Sequence, residues 1–177
     1  SVFHGIDPIE LDIIKTMLKS KINSPLTSST GRLFDAVSAL LGICLNSNYH
    51  AEAPMQLEAV ADTSVIEKYS WSGDRNISFK LVFKEILDDL AKKTPTSVIS
   101  GKFHNTLVDL IVVTAKIMRK QLKINSVVLS GGSFQNRILL QKTENLLKEC
   151  NFAVYSHENV PSNDGGIALG QLAIAAQ

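Results

Sequence analysis

The stretch Ser126-Val127-Val128-Leu129-Ser130-Gly131-Gly132-Ser133-Phe134-Gln135-Asn136-Arg137 decides how the rest of the chain is read. Its apolar run reads as a buried strand, residues 130–133 as a glycine turn, and residues 134–137 as the first turn of a helix. A junction of this kind leaves backbone N–H groups at the positive end of a helix dipole, which suits an anion or a nucleotide. The adjacent Gly131 and Gly132 let a ligand approach the backbone with no Cβ in the way. Two-glycine turns are also ordinary strand-to-helix connections, so the turn alone leaves both readings open.

Downstream, the helix runs through Leu146-Leu147, and Phe152-Ala153-Val154-Tyr155 reads as a second strand. One crossover helix between two short strands implies a parallel βαβ unit. Val160-Pro161-Ser162-Asn163-Asp164-Gly165-Gly166 then leads into a small-residue helix over 167–176 that can pack close to the sheet. Asn163-Asp164 would cap that helix, on the side where ligands collect in α/β folds. Asp164 is thus a cap or a metal or substrate ligand, and the paired glycines after it clear room that a cap does not require.

Upstream the chain is helical. Asp7, Pro8 and Glu10 open a first helix as N-cap, first residue and capping-box partner, and Ile6, Ile9, Ile13, Ile14, Met17 and Leu18 give it a packing face. Thr27-Ser28-Ser29-Thr30 caps a second helix with Leu33, Phe34, Val37, Leu40, Leu41 and Cys44 as its apolar stripe. Arg32 and Asp35 share a face in its first turn. Their spacing suits a surface ion pair, or an Asp35 that receives ribose hydroxyls or a polar substrate. A helix over 53–61 follows, then a loop or short hairpin over 62–78. Glu52 and Glu58 read as solvated carboxylates, and His50 is a lone loop histidine. Leu81, Val82, Ile86, Leu87 and Leu90 mark a further helix. A long one over 98–122 buries Ile99, Phe103, Leu107, Leu110, Ile111, Thr114 and Met118, with His104 beside that face as a hydrogen-bonded packing residue.

The 177 residues fit one domain, and 45% hydrophobic with 20% charged residues describes an ordinary globular chain. Eighteen basic against 17 acidic residues give no footprint for nucleic acid or a membrane surface. No apolar run reaches the ~18 residues of a spanning helix. Cys44 and Cys150 lie far apart in helical surroundings and read as free thiols of a reducing cytoplasm. There is no CxxC, Walker A loop or Ser-His-Asp order. The chain starts at Ser1 without an initiator Met, as a piece of a longer protein would.

Three motifs, taken in order, carry a family resemblance: Ser28-Ser29-Thr30-Gly31-Arg32-Leu33-Phe34-Asp35-Ala36-Val37, Leu129-Ser130-Gly131-Gly132-Ser133-Phe134-Gln135-Asn136-Arg137-Ile138-Leu139-Leu140, and Pro161-Ser162-Asn163-Asp164-Gly165-Gly166-Ile167-Ala168-Leu169-Gly170-Gln171. Together they resemble the C-terminal end of the HypF carbamoyltransferases of [NiFe]-hydrogenase maturation. More distantly, they are similar to the tRNA threonylcarbamoyladenosine synthase subunit TsaD and to antibiotic O-carbamoyltransferases.

The resemblance implies a helix-rich α/β fold: part of an actin-like ATPase (ribonuclease H-like) lobe with a small parallel sheet. It puts Asp35 on a ribose- or substrate-binding aspartate, Gly131, Gly132 and Asn136 on the nucleotide turn, and Asp164 on a metal-binding aspartate that acts with two histidines. The implied cofactors are ATP with Mg and a divalent metal such as Fe or Zn. The implied partners are carbamoyl phosphate, the acceptor protein HypE and the upstream HypF domains. The family's histidine metal motif and first phosphate-binding hairpins have no counterpart here, so the segment alone is expected to be inactive. The open sheet edge of a partial lobe could also pair two copies into a homodimer, and an inert packing module is the reading from another class. One departure stands out. After Tyr49 this chain has His50-Ala51-Glu52-Ala53-Pro54 where the family pattern is Glu-Gly-Gln-Ala-Ala, so a methyl replaces a glycine at Ala51.

Overall fold

The computed structural model describes residues 7–73 and 76–176. It is helix-rich α/β, with seven α-helices and one two-stranded sheet among those residues. They fall into two compact units that divide between Gln56 and Leu57.

The first unit opens with α1 (Pro8–Ser20), which Asp7 caps by accepting the Ile9 N–H at 2.8 Å. The expected packing face is not packed: no residue of α1 is buried, and Ile9, Ile13, Ile14 and Leu18 are all exposed. Ile6, placed on that stripe, lies outside the described residues. In α2 (Thr30–Leu40) Phe34, Val37 and Ser38 are buried. The expected side-chain cap is missing there. Ser29 stands at the N-cap without capping, and the hydroxyl of Thr27 is turned to the Ser29 N–H instead, at 3.1 Å. The next helix, α3 (Glu52–Ala59), starts a residue earlier than the sequence predicts and ends two earlier. Glu52 is not solvated. It is buried and accepts hydrogen bonds from Asn48 and Gln56.

The second unit is built along α5 (Thr96–Leu122), whose buried side carries Ile99, Phe103, His104, Leu107 and Val108. The helix begins at Thr96 rather than Val98 because Pro95 supplies its first carbonyl acceptors, to Val98 and Ile99. α4 (Lys80–Ala91) packs on it through Val82 and Ile86, and Asp89 accepts from Lys102 Nζ and the Tyr69 hydroxyl, both at 2.9 Å. Residues 62–72 form a strap along α5. The Asp62 N–H bonds to Ser97 O at 3.0 Å, and Asn105 donates to Val65 O and Glu67 O at 2.8 and 2.9 Å. Tyr69 N donates to the Thr106 hydroxyl, and Asp109 takes both Lys68 and the Trp71 indole N–H. A Ser72–Ser78 bridge closes the segment as a short hairpin, one of the two forms the sequence allowed; Asp74 lies outside the described residues.

After α5 come β1 (Ser126–Leu129), α6 (Arg137–Glu149) and β2 (Ala153–Ser156). The strands pair in parallel, from Ser126 opposite Ala153 to Leu129 opposite Ser156, as the βαβ reading requires. α6 buries Leu139, Thr143 and Leu147. Both cysteines are free, Cys44 buried and Cys150 half-buried. The last helix, α7 (Ile167–Ala175), was expected to pack close to the sheet, yet none of its residues is buried. It is apolar on all sides, and a helix of that kind needs cover on all sides, which a two-stranded sheet cannot give.

Ala51 has φ +61°, in the left-handed region where a Cβ is penalised. The glycine of the family pattern would sit there without strain. Ala51→Gly is therefore expected to stabilise the chain by about 0.5–1 kcal/mol, read as a higher denaturation midpoint in urea at unchanged slope.

Candidate functional site: the loops at the carboxyl ends of the two strands

β1 and β2 deliver two loops to the same end of the sheet. The first continues from Ser130 through a 3₁₀ turn (Gly132–Gln135) into α6; the second runs from His157 to a 3₁₀ turn (Asp164–Gly166) that enters α7. They are bonded to each other. Gly131 N–H donates to Ser162 O at 2.9 Å, and Ser130 Oγ lies 2.9 Å from His157 Nε2. Leu129, Phe134, Ser156, His157, Val160 and Pro161 line a cleft of about 270 Å³ between the loops. So the structure brings together Gly131, Gly132, Asn136 and the loop that bears Asp164. Asp35 belongs to the other unit.

The turn differs from its sequence reading in one respect. The N–H groups expected to be open at the start of α6 are taken within the chain. Glu58, read from sequence as a solvated carboxylate, accepts from Arg137 N at 2.7 Å and Ile138 N at 3.4 Å through the same oxygen. Asn136 is the side-chain cap: its Oδ1 accepts from Leu139 N at 2.8 Å. In the 3₁₀ turn just before, the N–H groups of Gly132 and Ser133 have no acceptor among the described residues. A ligand anion therefore has a smaller and more defined pair of donors than the helix end would give. Gly131 is required by its backbone, at φ +103°.

Asn136 is itself held from behind. Its Nδ2 lies 2.9 Å from Nε2 of His104, whose Nδ1 lies 2.8 Å from Ser100 O. A carbonyl oxygen can only accept, so Nδ1 carries the proton and Nε2 accepts from the Asn136 amide. His104 is fully buried, as a hydrogen-bonded packing histidine should be, and desolvation holds its pKa down to about 4; the bond to Ser100 works against that and the charge of Lys142 works with it. Lys142 Nζ in turn donates to Asn105 at 2.7 Å.

The second loop also resolves an alternative. Asn163, not Asp164, caps the 3₁₀ turn, with Oδ1 accepting from Gly165 N at 3.0 Å. Asp164 is exposed; its backbone carbonyl accepts from Ile167 N–H, while its carboxylate makes no hydrogen bond or ion pair among the described residues and is available to a ligand. The glycines that follow do not clear room for one. A Cβ on Gly165 would meet Asn163 Oδ1 and Pro161 at 3.1 Å, and one on Gly166 would meet Pro161 O at 3.0 Å, so the loop's own packing uses that space. As for a metal, the described residues hold no cluster of three His, Cys, Asp or Glu side chains. Asp164 can be one donor of a metal site, and it does not make a site by itself. Asp35 makes the ion pair that its spacing allowed, with Arg32 at 3.1 Å; the arginine side chain is largely exposed, so the pair is worth little to stability.

Residues 5–171 match the family described as the carbamoyltransferase Kae1-like domain, second subdomain. The chain belongs to the HypF carbamoyltransferase family. It is 34% identical to a probable carbamoyltransferase HypF of Methanocaldococcus jannaschii over 172 residues, covering 92% of this chain and 21% of that protein. With carbamoyltransferase HypF of Synechocystis sp. it shares 36% over 153 residues, covering 84% of this chain and 19% of the other. A solved structure of full-length HypF in a phosphate- and nucleotide-bound form superposes with a TM-score of 0.89 at 42% identity, over 98% of this chain and 24% of that one. HypF of T. kodakarensis superposes at 0.75 and 23% identity, over 95% and 23%, which supports the fold. The chain thus spans about a fifth of the length of the HypF proteins it matches.

Two consequences can be measured. His104 binds its proton at about pH 4 when folded and near 6.5 when unfolded, so the unfolded chain takes up more protons in between. Its contribution to stability is complete above pH 6.5 and is lost as pH falls toward 4. Urea midpoints should fall across that window, and His104→Gln should flatten the fall. Glu58→Ala should lower stability by about 1 kcal/mol by uncapping α6, with Glu58→Gln closer to wild type, both read by thermal melts.

Proposed function

We propose that this chain is the nucleotide-holding C-terminal part of a HypF-like carbamoyltransferase, which uses ATP and carbamoyl phosphate to form a carbamoyl-adenylate. The carbamoyl group then passes to the C-terminal cysteine of HypE, for the cyanide ligands of [NiFe]-hydrogenase. The observation that carries this reading is the pairing of two family motifs at one end of the sheet, where Gly131 N–H binds Ser162 O. In an α/β fold that end is where ligands bind. The solved HypF described as phosphate- and nucleotide-bound, 42% identical over this segment, supports the same reading.

Each residue has a physical role in the proposal. The N–H groups of Gly132 and Ser133 donate to a phosphate oxygen, and stabilise negative charge as it shifts during acyl transfer. Asn136 fixes the turn rather than offering a free amide, because both its polar atoms are committed inside the chain. Asp35 receives ribose hydroxyls or a polar substrate. Asp164 supplies one carboxylate to a divalent metal such as Fe or Zn, whose remaining donors come from the upstream HypF domains, and Mg accompanies ATP. A single donor makes no metal site, so the segment alone is inactive. A bound metal would polarise the acyl-phosphate anhydride; this chain's part is to hold the nucleotide still against it.

Calorimetry of the complete enzyme with ATP should show binding that is weakened in Asp35→Ala. Asp164→Ala should abolish carbamoyl transfer while leaving the melting temperature within a few degrees. A protein that binds no ATP sinks the nucleotide site, and normal turnover by the Asp164 variant rules out its place at a metal.

A further inference from the structure

Behind the turn over 131–136 a histidine is buried that has no part in holding the nucleotide directly. His104 sits in the middle of α5, 0% exposed, where an apolar side chain would pack without having to satisfy two ring nitrogens. It spans two elements. Nδ1–H donates to Ser100 O at 2.8 Å within α5, and Nε2 accepts from Asn136 Nδ2 at 2.9 Å at the start of α6. Asn136 Oδ1 then accepts from Leu139 N at 2.8 Å. Each atom in this series has a fixed donor or acceptor role, set by the Ser100 carbonyl at one end and the Leu139 N–H at the other. The Asn136 amide therefore cannot flip without placing two donors, or two acceptors, face to face. With its side chain fixed, the Asn136 backbone is fixed too, and its N–H bonds to Ser133 O, which closes the turn that presents Gly132 and Ser133.

We infer that His104 is a positioning residue for the nucleotide turn, acting through Asn136 by presenting Nε2 as an acceptor at a set place and angle. The inference rests on the nucleotide reading of the turn and adds to it a buried residue 32 positions upstream of Asn136. A histidine that only filled the core would contribute volume. This one sets the orientation of an amide on which the turn depends.

Two substitutions separate its contacts, since the side-chain amide of asparagine overlays Nδ1 of histidine and that of glutamine overlays Nε2. His104→Asn keeps the bond to Ser100 O and removes the acceptor for Asn136; His104→Gln does the reverse. ATP affinity of the complete enzyme is measured by calorimetry, with melting temperature alongside and Asn136→Ala as the background for a double-mutant cycle. The expected result is a roughly tenfold weaker ATP Kd in His104→Asn and near wild-type affinity in His104→Gln, although both melt lower. In the Asn136→Ala background the His104→Asn effect should vanish. Equal affinities in the Asn and Gln variants, or an undiminished effect in that background, overturn the inference. If His104→Asn does not fold, the comparison moves to His104→Gln against Asn136→Ala: wild-type affinity in Gln supports the role, and affinity as weak as that of Asn136→Ala refutes it. An Asn136→Ala protein that binds ATP like wild type overturns the nucleotide reading as well; loss there with none in His104→Asn overturns this inference alone.

Discussion

The hydrogen-bonded series from Ser100 through His104 and Asn136 to Leu139 joins the two longest packed helices of the second unit at the one place where a loop must be held in shape. Helices α5 and α6 meet mainly through apolar contact, and apolar contact is non-directional. It fixes how far apart the helices lie and says little about the orientation of the turn between β1 and α6. Directed bonds in a dry interior supply that orientation. They do so at a cost, because each buried polar atom must be matched, and the match here is complete only with the imidazole neutral.

Around that series the unit is assembled with polar staples at intervals along α5. The strap over 62–72 has no regular secondary structure of its own beyond the Ser72–Ser78 bridge, so its backbone groups need partners elsewhere. Asn105 and Thr106 provide them from α5, and Asp109 one turn on holds the side chains of Lys68 and Trp71. Glu58 does the same service for α6, placing a carboxylate at the helix start where the dipole favours it. That last contact changes the chemistry of the site. With the helix end already neutralised by an internal carboxylate, the two N–H groups of the preceding turn are the donors left for the proposed nucleotide.

The apolar surfaces left open are as informative as the packed ones. α7 and the outer stripe of α1 expose isoleucines and leucines, and α5 with β1 lines an apolar groove of about 640 Å³ bounded by Leu110, Met118, Leu122, Val128 and Phe152. Exposed patches of this extent mark contact surfaces. They fit a chain that spans about a fifth of the HypF proteins it matches.

The local signals in the sequence were sufficient for the elements. Proline after Asp7, the glycine turn after a three-residue apolar run, and the 3.6-residue spacing of Ile99, Phe103 and Leu107 each act over a few residues, and each element appears in the structure. Burial was less well foretold: of the strand read as buried only Leu129 is buried and Val128 is exposed, and on the expected face of α5 Leu110 and Ile111 are half-buried while Thr114 and Met118 are exposed. The site loops were legible for the same reason: strand, turn and helix follow one another in the chain, and so do Asn163, Asp164 and the paired glycines. What the sequence could not carry was any contact between distant positions. Glu58 reaches Arg137 across 79 residues and His104 reaches Asn136 across 32, and no spacing rule covers such separations. Nor could the spacing of α1 or α7 tell whether an apolar stripe has anything to lie against. Periodicity states which side of a helix would be buried; only the tertiary structure decides whether a partner surface is there, and which polar group fills each vacancy at a helix end.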